Sequence, residues 1–362
     1  MDITTINAVR TFIRNAWPKT FRNPPEVKPG AFQLTPAPYV VPCADEGIFQ
    51  QMYYWDLWFT AEGLIEDGHV NMARSSAECF MHVVEHLGFI PNVMIEGIHR
   101  TQLPTAARLY RLVYQKTGDR IWLMRASRAV ETELEFWYTF RSAPDGLNRA
   151  GHHGSPRDVA NFYWQIRERI RSLPHAPGER LNALAHLMAE CEIWDFTPRF
   201  AGHCMDFSPI DLNSELVEVE EILAWMFDEL QDPRASYWRQ RAAVRRTTIE
   251  RLMWDDQLGW YQDWDHVRQC RGSVPSAAGL WALASGVASP ERAERVRANL
   301  GLVERACGIT TCVPGSRPPG QVYQWDDPNA WPPLQWIAVL GLDRYGFRTD
   351  AERIASKYID SV

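Results

Sequence analysis

The chain reads as an all-α protein, and three observations predict it. Apolar residues recur at intervals of three and four along nearly all of the sequence after Phe49, alternating β-type runs are nearly absent, and glycine and proline fall where helices would stop or start. The first 47 residues hold one helix, 4–17, followed by a lead-in with Pro24-Pro25, Pro36, Pro38 and Pro42 that cannot be regular helix and reads as a strap across a domain surface. Helical spacing then covers 52–65, 72–87, 106–113, 121–140, 159–170, 181–193, 216–230, 237–253, 277–283, 293–300, 336–342 and 351–358. That makes about twelve helices after the strap. Gly68, Gly88, Gly118 and Gly301 supply stops, with Pro104 and Pro156 near the starts.

Composition narrows the function classes. At 362 residues, 46% of them hydrophobic, the chain can bury one large core or two ordinary ones. A net charge of −7 and a pI near 5.8 come without clustered Lys and Arg, which argues against a nucleic-acid partner. Seven scattered cysteines without a Cys-x-x-Cys pair disfavour a disulfide framework and a structural zinc. The start, Met1-Asp2-Ile3-Thr4-Thr5, lacks a basic region followed by an apolar run, and no stretch approaches 18 uninterrupted apolar residues. A soluble, cytoplasmic protein with no membrane partner is expected.

Two patterns invite readings that the spacing rejects. Trp-Asp occurs at Trp55-Asp56, Trp194-Asp195, Trp254-Asp255, Trp264-Asp265 and Trp325-Asp326. Propeller blades would repeat every ~40–45 residues, and these dipeptides are irregular and expected at helix edges. His82-Val83-Val84-Glu85-His86 fits the H-x-x-E-H zinc pattern, with both His on one helix face. The apolar stripe Ala77, Phe80, Val84 and Leu87 leaves both imidazoles on the polar side, and no motif offers a third ligand. Neither a metal nor a cofactor is expected.

The densest chemistry lies in Gln324-Trp325-Asp326-Asp327-Pro328-Asn329-Ala330-Trp331-Pro332-Pro333-Leu334-Gln335-Trp336, which sets aromatic rings among hydrogen-bonding side chains at a helix mouth. A pyranose presents apolar C–H faces for rings to stack on and a rim of hydroxyls that need donors or acceptors. The same tryptophans could equally fill a helical core. The stretch resembles a signature of the trehalase family of glycoside hydrolases, Q-W-D-x-P-N-x-W-x-P-L-Q. Tyr53-Tyr54-Trp55-Asp56 with Gly63-Leu64 is similar to the family's Y-Y-W-D run and its G-L. Gly88-Phe89-Ile90-Pro91-Asn92 matches G-F-I-P-N, and Arg100-Thr101-Gln102-Leu103-Pro104 is similar to R-S-Q-P-P. Trp194-Asp195-Phe196-Thr197-Pro198-Arg199-Phe200 resembles W-D-F-S-x-R-W, and Asp211-Leu212-Asn213 matches D-L-N, all in the family's order.

The resemblance implies an (α/α)6 toroid over residues 48–362, with residues 1–47 as the N-terminal helix and strap packed on it. It implies hydrolysis of α,α-trehalose, or another glucose disaccharide, with inversion. One carboxylic acid would protonate the leaving oxygen while a second carboxylate holds water ~6.5–9.5 Å away on the opposite face. Asp195 falls on the acid position, and Trp194 and Phe196 beside it supply an apolar wall that would desolvate a carboxylate. For an arbitrary Trp-Asp, a helix cap or a salt bridge to Arg199 would be the plainer role. By the same transfer, Phe49, Tyr53, Trp55, Asp56, Asn92, Arg100, Gln102, Gln324, Trp325, Asn329 and Trp331 would line the glucose subsites. Arg157 sits where the family has the Arg of P-R-P-E-S, with Asp158 standing for its Glu.

Three departures accompany the likeness. Ile48 replaces the Arg of the family's G-G-R-F. The loop from Asn92 to Arg100 is one residue shorter and more apolar. The family's general base, a Glu in an E-K-Y motif, has no counterpart, since Ser356-Lys357-Tyr358 offers no carboxylate. The sequence therefore leads to the expectation that the family's C-terminal end is lacking and that sugar binding outlasts turnover. A related α-glycosidase and a sugar-binding toroid without catalysis stay open as alternatives.

Overall fold

The apolar spacing produces helices at nearly every place where it occurs. The computed structural model describes residues 3–45, 47–170, 173–317 and 323–362, and among them it has thirteen α-helices. The chain divides into two units, Met1–Thr139 with Val219–Gln240, and Phe140–Glu218 with Arg241–Val362. No helix among the described residues is long and apolar enough to cross a membrane.

Unit 1 begins with α1 (Ile3–Thr20). Its end is fixed by Asp67, whose carboxylate accepts hydrogen bonds from Arg14 Nε at 2.9 Å and Trp17 Nε1 at 2.8 Å. The strap returns through a short antiparallel pair, β1 (Phe21–Arg22) with β2 (Tyr39–Val40), in register Phe21↔Val40. It lies on α3 (Val70–Leu87), where Val40 N donates to Ser76 Oγ at 3.1 Å and Ser75 Oγ donates to the Pro38 carbonyl at 2.5 Å. The Phe32 ring stacks on His82 and His86, with centroids 4.9 and 3.8 Å away. Both imidazoles of the H-x-x-E-H run thus pack against the strap, and Glu85 pairs with Arg125 at 2.7 Å.

Helices α2 (Tyr54–Glu66), α3 and α4 (Ala106–Thr117) pack on one another, followed by α5 (Arg120–Phe140). The glycine stops of α3 and α4 are left-handed caps. Gly88 and Gly118 have φ +81° and +62°, and their N–H groups return to Val84 and Tyr114 carbonyls. The start of α2 differs from the 52–65 reading, because Met52 and Tyr53 pair with the Asn92–Met94 segment before the helix begins.

Unit 2 carries α6 (Pro156–Ile166) and α7 (Pro177–Glu190), which close around Phe162, Leu184, Met188 and Phe196. Then come β3 (Phe207–Ser208), α8 (Ile210–Leu230) and α9 (Ala235–Leu252), whose spans pass the unit boundaries. Here two Trp-Asp dipeptides are strands rather than helix edges. They are β4 (Trp254–Asp255), paired with β5 (Trp260–Tyr261), and β6 (Trp264–Asp265), paired with β3 and β7 (Cys270–Arg271). Asp255 Oδ1 accepts the N–H groups of Gln257 and Leu258, which closes the tight turn between β4 and β5.

The span read as a helix over 277–283 is half 3-10 turn, Ala277–Leu280, before the single turn α10 (Trp281–Ala284). Next are α11 (Pro290–Ala298) and the pair β8 (Glu304–Arg305) with β9 (Gly308–Ile309). Asn299 caps α11, and Gly301 lies in the following 3-10 turn Leu300–Leu302 instead of stopping the helix. The chain closes with α12 (Pro332–Arg344) and α13 (Arg348–Ser361). A Cβ at Gly341 would lie 2.8 Å from Leu283 Cβ, so only glycine lets α12 come this close to α10.

Candidate functional site

The candidate residues divide between the units, and unit 1 sets its share largely by main-chain bonds. Tyr54 N donates to the Asn92 carbonyl at 3.1 Å, Asn92 N to the Arg100 carbonyl at 2.9 Å, and Met94 N to the Met52 carbonyl at 2.9 Å. The first turn of α2 lacks internal acceptors for its N–H groups, and Gln102 Oε1 takes that of Trp55 at 3.1 Å. Tyr53, Trp55, Asn92, Arg100 and Gln102 are therefore brought to one corner, with Asp56 in the same turn of α2. Phe49 is more than half exposed at φ +47°, its ring edge-on to Tyr53 at 5.6 Å. Beneath them Tyr54 Oη donates to Glu133, a fully buried carboxyl that burial pushes up to about 7, against the pull of its Tyr54 and Trp137 hydrogen bonds.

Unit 2 holds its share with charge. Asp195 is not enclosed as its neighbours suggested. Trp194 and Phe196 are buried, but the Asp195 side chain is 32% exposed and its Oδ2 accepts from Arg169 Nη2 at 2.5 Å. The same Nη2 donates to Gln324 Oε1, and the guanidinium lies 4.6 Å over the Phe196 ring. Arg199 is committed elsewhere. It is fully buried between Asp211 (2.7 and 2.9 Å) and Asp263 (2.7 and 3.0 Å), with its guanidinium 4.2 Å over Trp194. Burial works against the Arg199 charge, but the two carboxylates outweigh it and keep the guanidinium protonated.

Two glutamates at the end of α7 were invisible to motif reading. Glu192, fully buried, takes a double hydrogen bond from Arg141 at 2.7 and 2.9 Å and the Gly151 N–H at 2.8 Å. It thus ties down the loop that leads to Arg157. Glu190, 1% exposed, accepts the Thr197 N–H at 2.6 Å, and burial pushes its carboxyl up to about 8. Between Asp195 and Thr197 stands Phe196 at φ +60°, a left-handed conformation that costs a side-chain-bearing residue ~1–3 kcal/mol. Glu190 and Glu192 both fall inside the span read as helix, 181–193, where nothing in the sequence set them apart from ordinary helix-end charges. Arg157 is exposed in the first turn of α6, and Asp158 completes a capping box with Ser155.

The aromatic stretch folds around Gln324, whose carbonyl accepts from Asn329 Nδ2 at 2.9 Å and Trp331 Nε1 at 3.2 Å. Trp194, Trp325 and Trp331 form one stack, with centroids 5.3 and 4.9 Å apart and planes within 24°. Trp325, stacked on two indoles, is itself only 6% exposed. A sugar would meet its edge or the outer face of Trp331. Asp195, Gln324, Trp325, Asn329 and Trp331 are brought together, so unit 2 joins a half-exposed carboxylate, a cation, an amide and an indole surface.

A family model described as Trehalase matches residues 4–171 and 188–362. A curated periplasmic trehalase from Xanthomonas oryzae pv. oryzae is 30% identical over 382 residues, covering 98% of this chain and 65% of its own length. Another from Escherichia coli O1:K1 / APEC is 29% identical over 388 residues, with 98% and 66% covered. The chain thus spans about two thirds of the length of these relatives. Among solved structures, the neutral trehalase of Saccharomyces cerevisiae has a TM-score of 0.76 at 28% identity, covering 89% of this chain and 66% of that one. A GH63 mannosylglycerate hydrolase from Thermus thermophilus, in complex with glucose, has a TM-score of 0.69 at 19% identity, covering 96% and 90%. The fold class is the (α/α)6 toroid. The cytoplasmic expectation is overturned, because the curated relatives are named periplasmic trehalases. Compartment is set by targeting, which the composition of a folded domain does not report.

Proposed function

Because the chain belongs to the trehalase family, we propose that it is a glycoside hydrolase acting on trehalose, with Asp195 as the proton donor. The Asp195 carboxyl passes its proton to the bridging oxygen as the bond to the anomeric carbon breaks. In the inverting scheme water attacks that carbon from the opposite face and gives its proton to a second carboxylate, the role for which this sequence has no counterpart of the family's E-K-Y glutamate. The observation that carries the reading is the join at Arg169, one guanidinium bonded to both Asp195 and Gln324, which sets the acid beside the indole stack. The names of the relatives supply the substrate, and Tyr53, Trp55, Asn92, Arg100 and Gln102 are taken as further subsite residues. Asp195→Asn is expected to lower glucose release by ~10²–10⁴-fold and to leave the melting temperature unchanged. Near-normal turnover in that variant would return Asp195 to a structural role.

One observation favours binding over turnover as a second reading. Asp195 Oδ2 is already engaged by Arg169, so the proton must leave from Oδ1 or after Arg169 has moved. Calorimetry with trehalose, run beside a glucose-release assay on the same sample, separates the readings. Heat without glucose identifies a binder.

A further inference from the structure

We propose that Glu190 is the positioning residue of the Asp195 turn, holding Phe196 in its left-handed conformation by accepting the Thr197 N–H. The inference rests on the reading of Asp195 as the acid. Three bonds surround the strained residue. Thr197 N donates to Glu190 Oε1 at 2.6 Å, Trp325 N donates to the Phe196 carbonyl at 3.0 Å, and Arg199 N donates to Thr197 Oγ1 at 3.4 Å. The first comes from a residue fixed at the end of a helix and is a side-chain bond to the turn's main chain, whereas Arg169 holds the Asp195 carboxylate and covers the Phe196 ring, and Cys312 Sγ lies 3.8 Å from Thr197 Oγ1.

A strained φ at one residue redirects the chain on both sides of it. Released, Phe196 would return to ordinary φ, swinging Asp195 away from Gln324 on one side and the Phe196 carbonyl away from Trp325 on the other. One buried acceptor therefore holds the backbone turn from which Asp195 reaches Arg169 and the Phe196 carbonyl reaches Trp325 N. Helix α7 supplies it from a fully buried position, where the side chain has no solvent to turn toward. Other groups in this buried region do not replace it. Asp211 and Asp263 are both committed to Arg199, and Glu192 to Arg141 and Gly151.

The test compares Glu190→Gln, which keeps an acceptor oxygen in place, with Glu190→Met, which keeps the volume and removes the acceptor. The readouts are the near-ultraviolet circular dichroism of the Trp194–Trp325–Trp331 stack and calorimetric binding of trehalose. Far-ultraviolet dichroism checks that each variant is folded. The expected result is a wild-type indole signal and affinity in the Gln variant. The Met variant should be folded, with the indole signal lost and binding roughly tenfold weaker. A Met variant that keeps both signals overturns the proposal, as does a folded Gln variant that loses both. Should the Met variant not fold, Glu190→Asp, which withdraws the acceptor by one methylene, is read the same way. If no variant and not even the wild type binds trehalose, the proposed function fails, while the indole signal still decides the role of Glu190.

Discussion

In unit 1, Tyr53, Trp55 and Asn92 are placed by main-chain hydrogen bonds with one amide side chain as a cap. In unit 2, the neighbourhood of Asp195 is held by Arg199 between two buried aspartates, by Arg141 on Glu192, and by an uncharged-leaning Glu190. The difference teaches where each region tolerates change. A main-chain bond survives most substitutions of the residue that makes it, whereas a buried charge network collapses when one member is lost, leaving its partners uncompensated.

The largest effect should therefore come from unit 2. Arg199→Met would strand Asp211 and Asp263 in a dry interior and is expected to cost ~3–5 kcal/mol in urea unfolding. A loss below ~1 kcal/mol, the range of an exposed pair, would break the contrast between the units.

The second effect is a pH dependence that both units share. Burial raises the carboxyls of Glu133 and Glu190 from 4.5 to about 7 and about 8, so the folded protein holds protons that the unfolded chain has released. Stability from these groups is complete below the unfolded value near 4.5 and is lost as pH rises through 7 for Glu133 and 8 for Glu190. Melting temperatures of Glu133→Gln and Glu190→Gln should match wild type below pH 4.5 and exceed it at pH 8 and above, with the Glu133 difference levelling off near pH 7 and the Glu190 difference near pH 8. Parallel pH curves for variants and wild type would show that the two carboxyls are already ionised.

A smaller effect belongs to unit 1. Gln102→Ala removes the acceptor for Trp55 N and should cost ~1 kcal/mol, with helix content unchanged. A loss as large as that of Arg199→Met would mean that unit 1 also hangs on single side chains. The smallest concerns the strap. Phe32→Ala removes stacking on both imidazoles and should cost ~0.5–1.5 kcal/mol, without changing trehalose binding in calorimetry.

Helices were legible because each needs only an apolar stripe and a cap, both local in sequence. The spans read around 106–113, 121–140 and 216–230 fall inside α4, α5 and α8. The short strands were not legible. Two-residue pairs such as Trp264-Asp265 with Phe207-Ser208 have no room for an alternating pattern and are set by a partner more than fifty positions away. In the site, Asp195, Gln324 and the tryptophans were readable because their types and order carry the likeness. Their supports were not. Arg169, Glu190 and Glu192 look like ordinary helix-end charges until folding shows that Arg169 reaches across 155 positions to Gln324 and that both glutamates are buried.

The division of the chain also bears on how the protein is made. Unit 1 lacks Val219–Gln240 until the whole of Phe140–Glu218, which belongs to unit 2, has been synthesised. At ~5–20 residues per second, a ribosome keeps the first 139 residues waiting roughly 4–20 s for their missing piece. During that interval the surfaces of α4 and α5 that Val219–Gln240 would cover, around Tyr114, Glu131 and Tyr138, stand open to chaperones or to other nascent chains. A fragment ending at Thr139 should accordingly stay partly unfolded, with amides exchanging freely, and gain protection when a Val219–Gln240 peptide is added. A fragment fully protected by itself would show that the first unit needs nothing from the later chain.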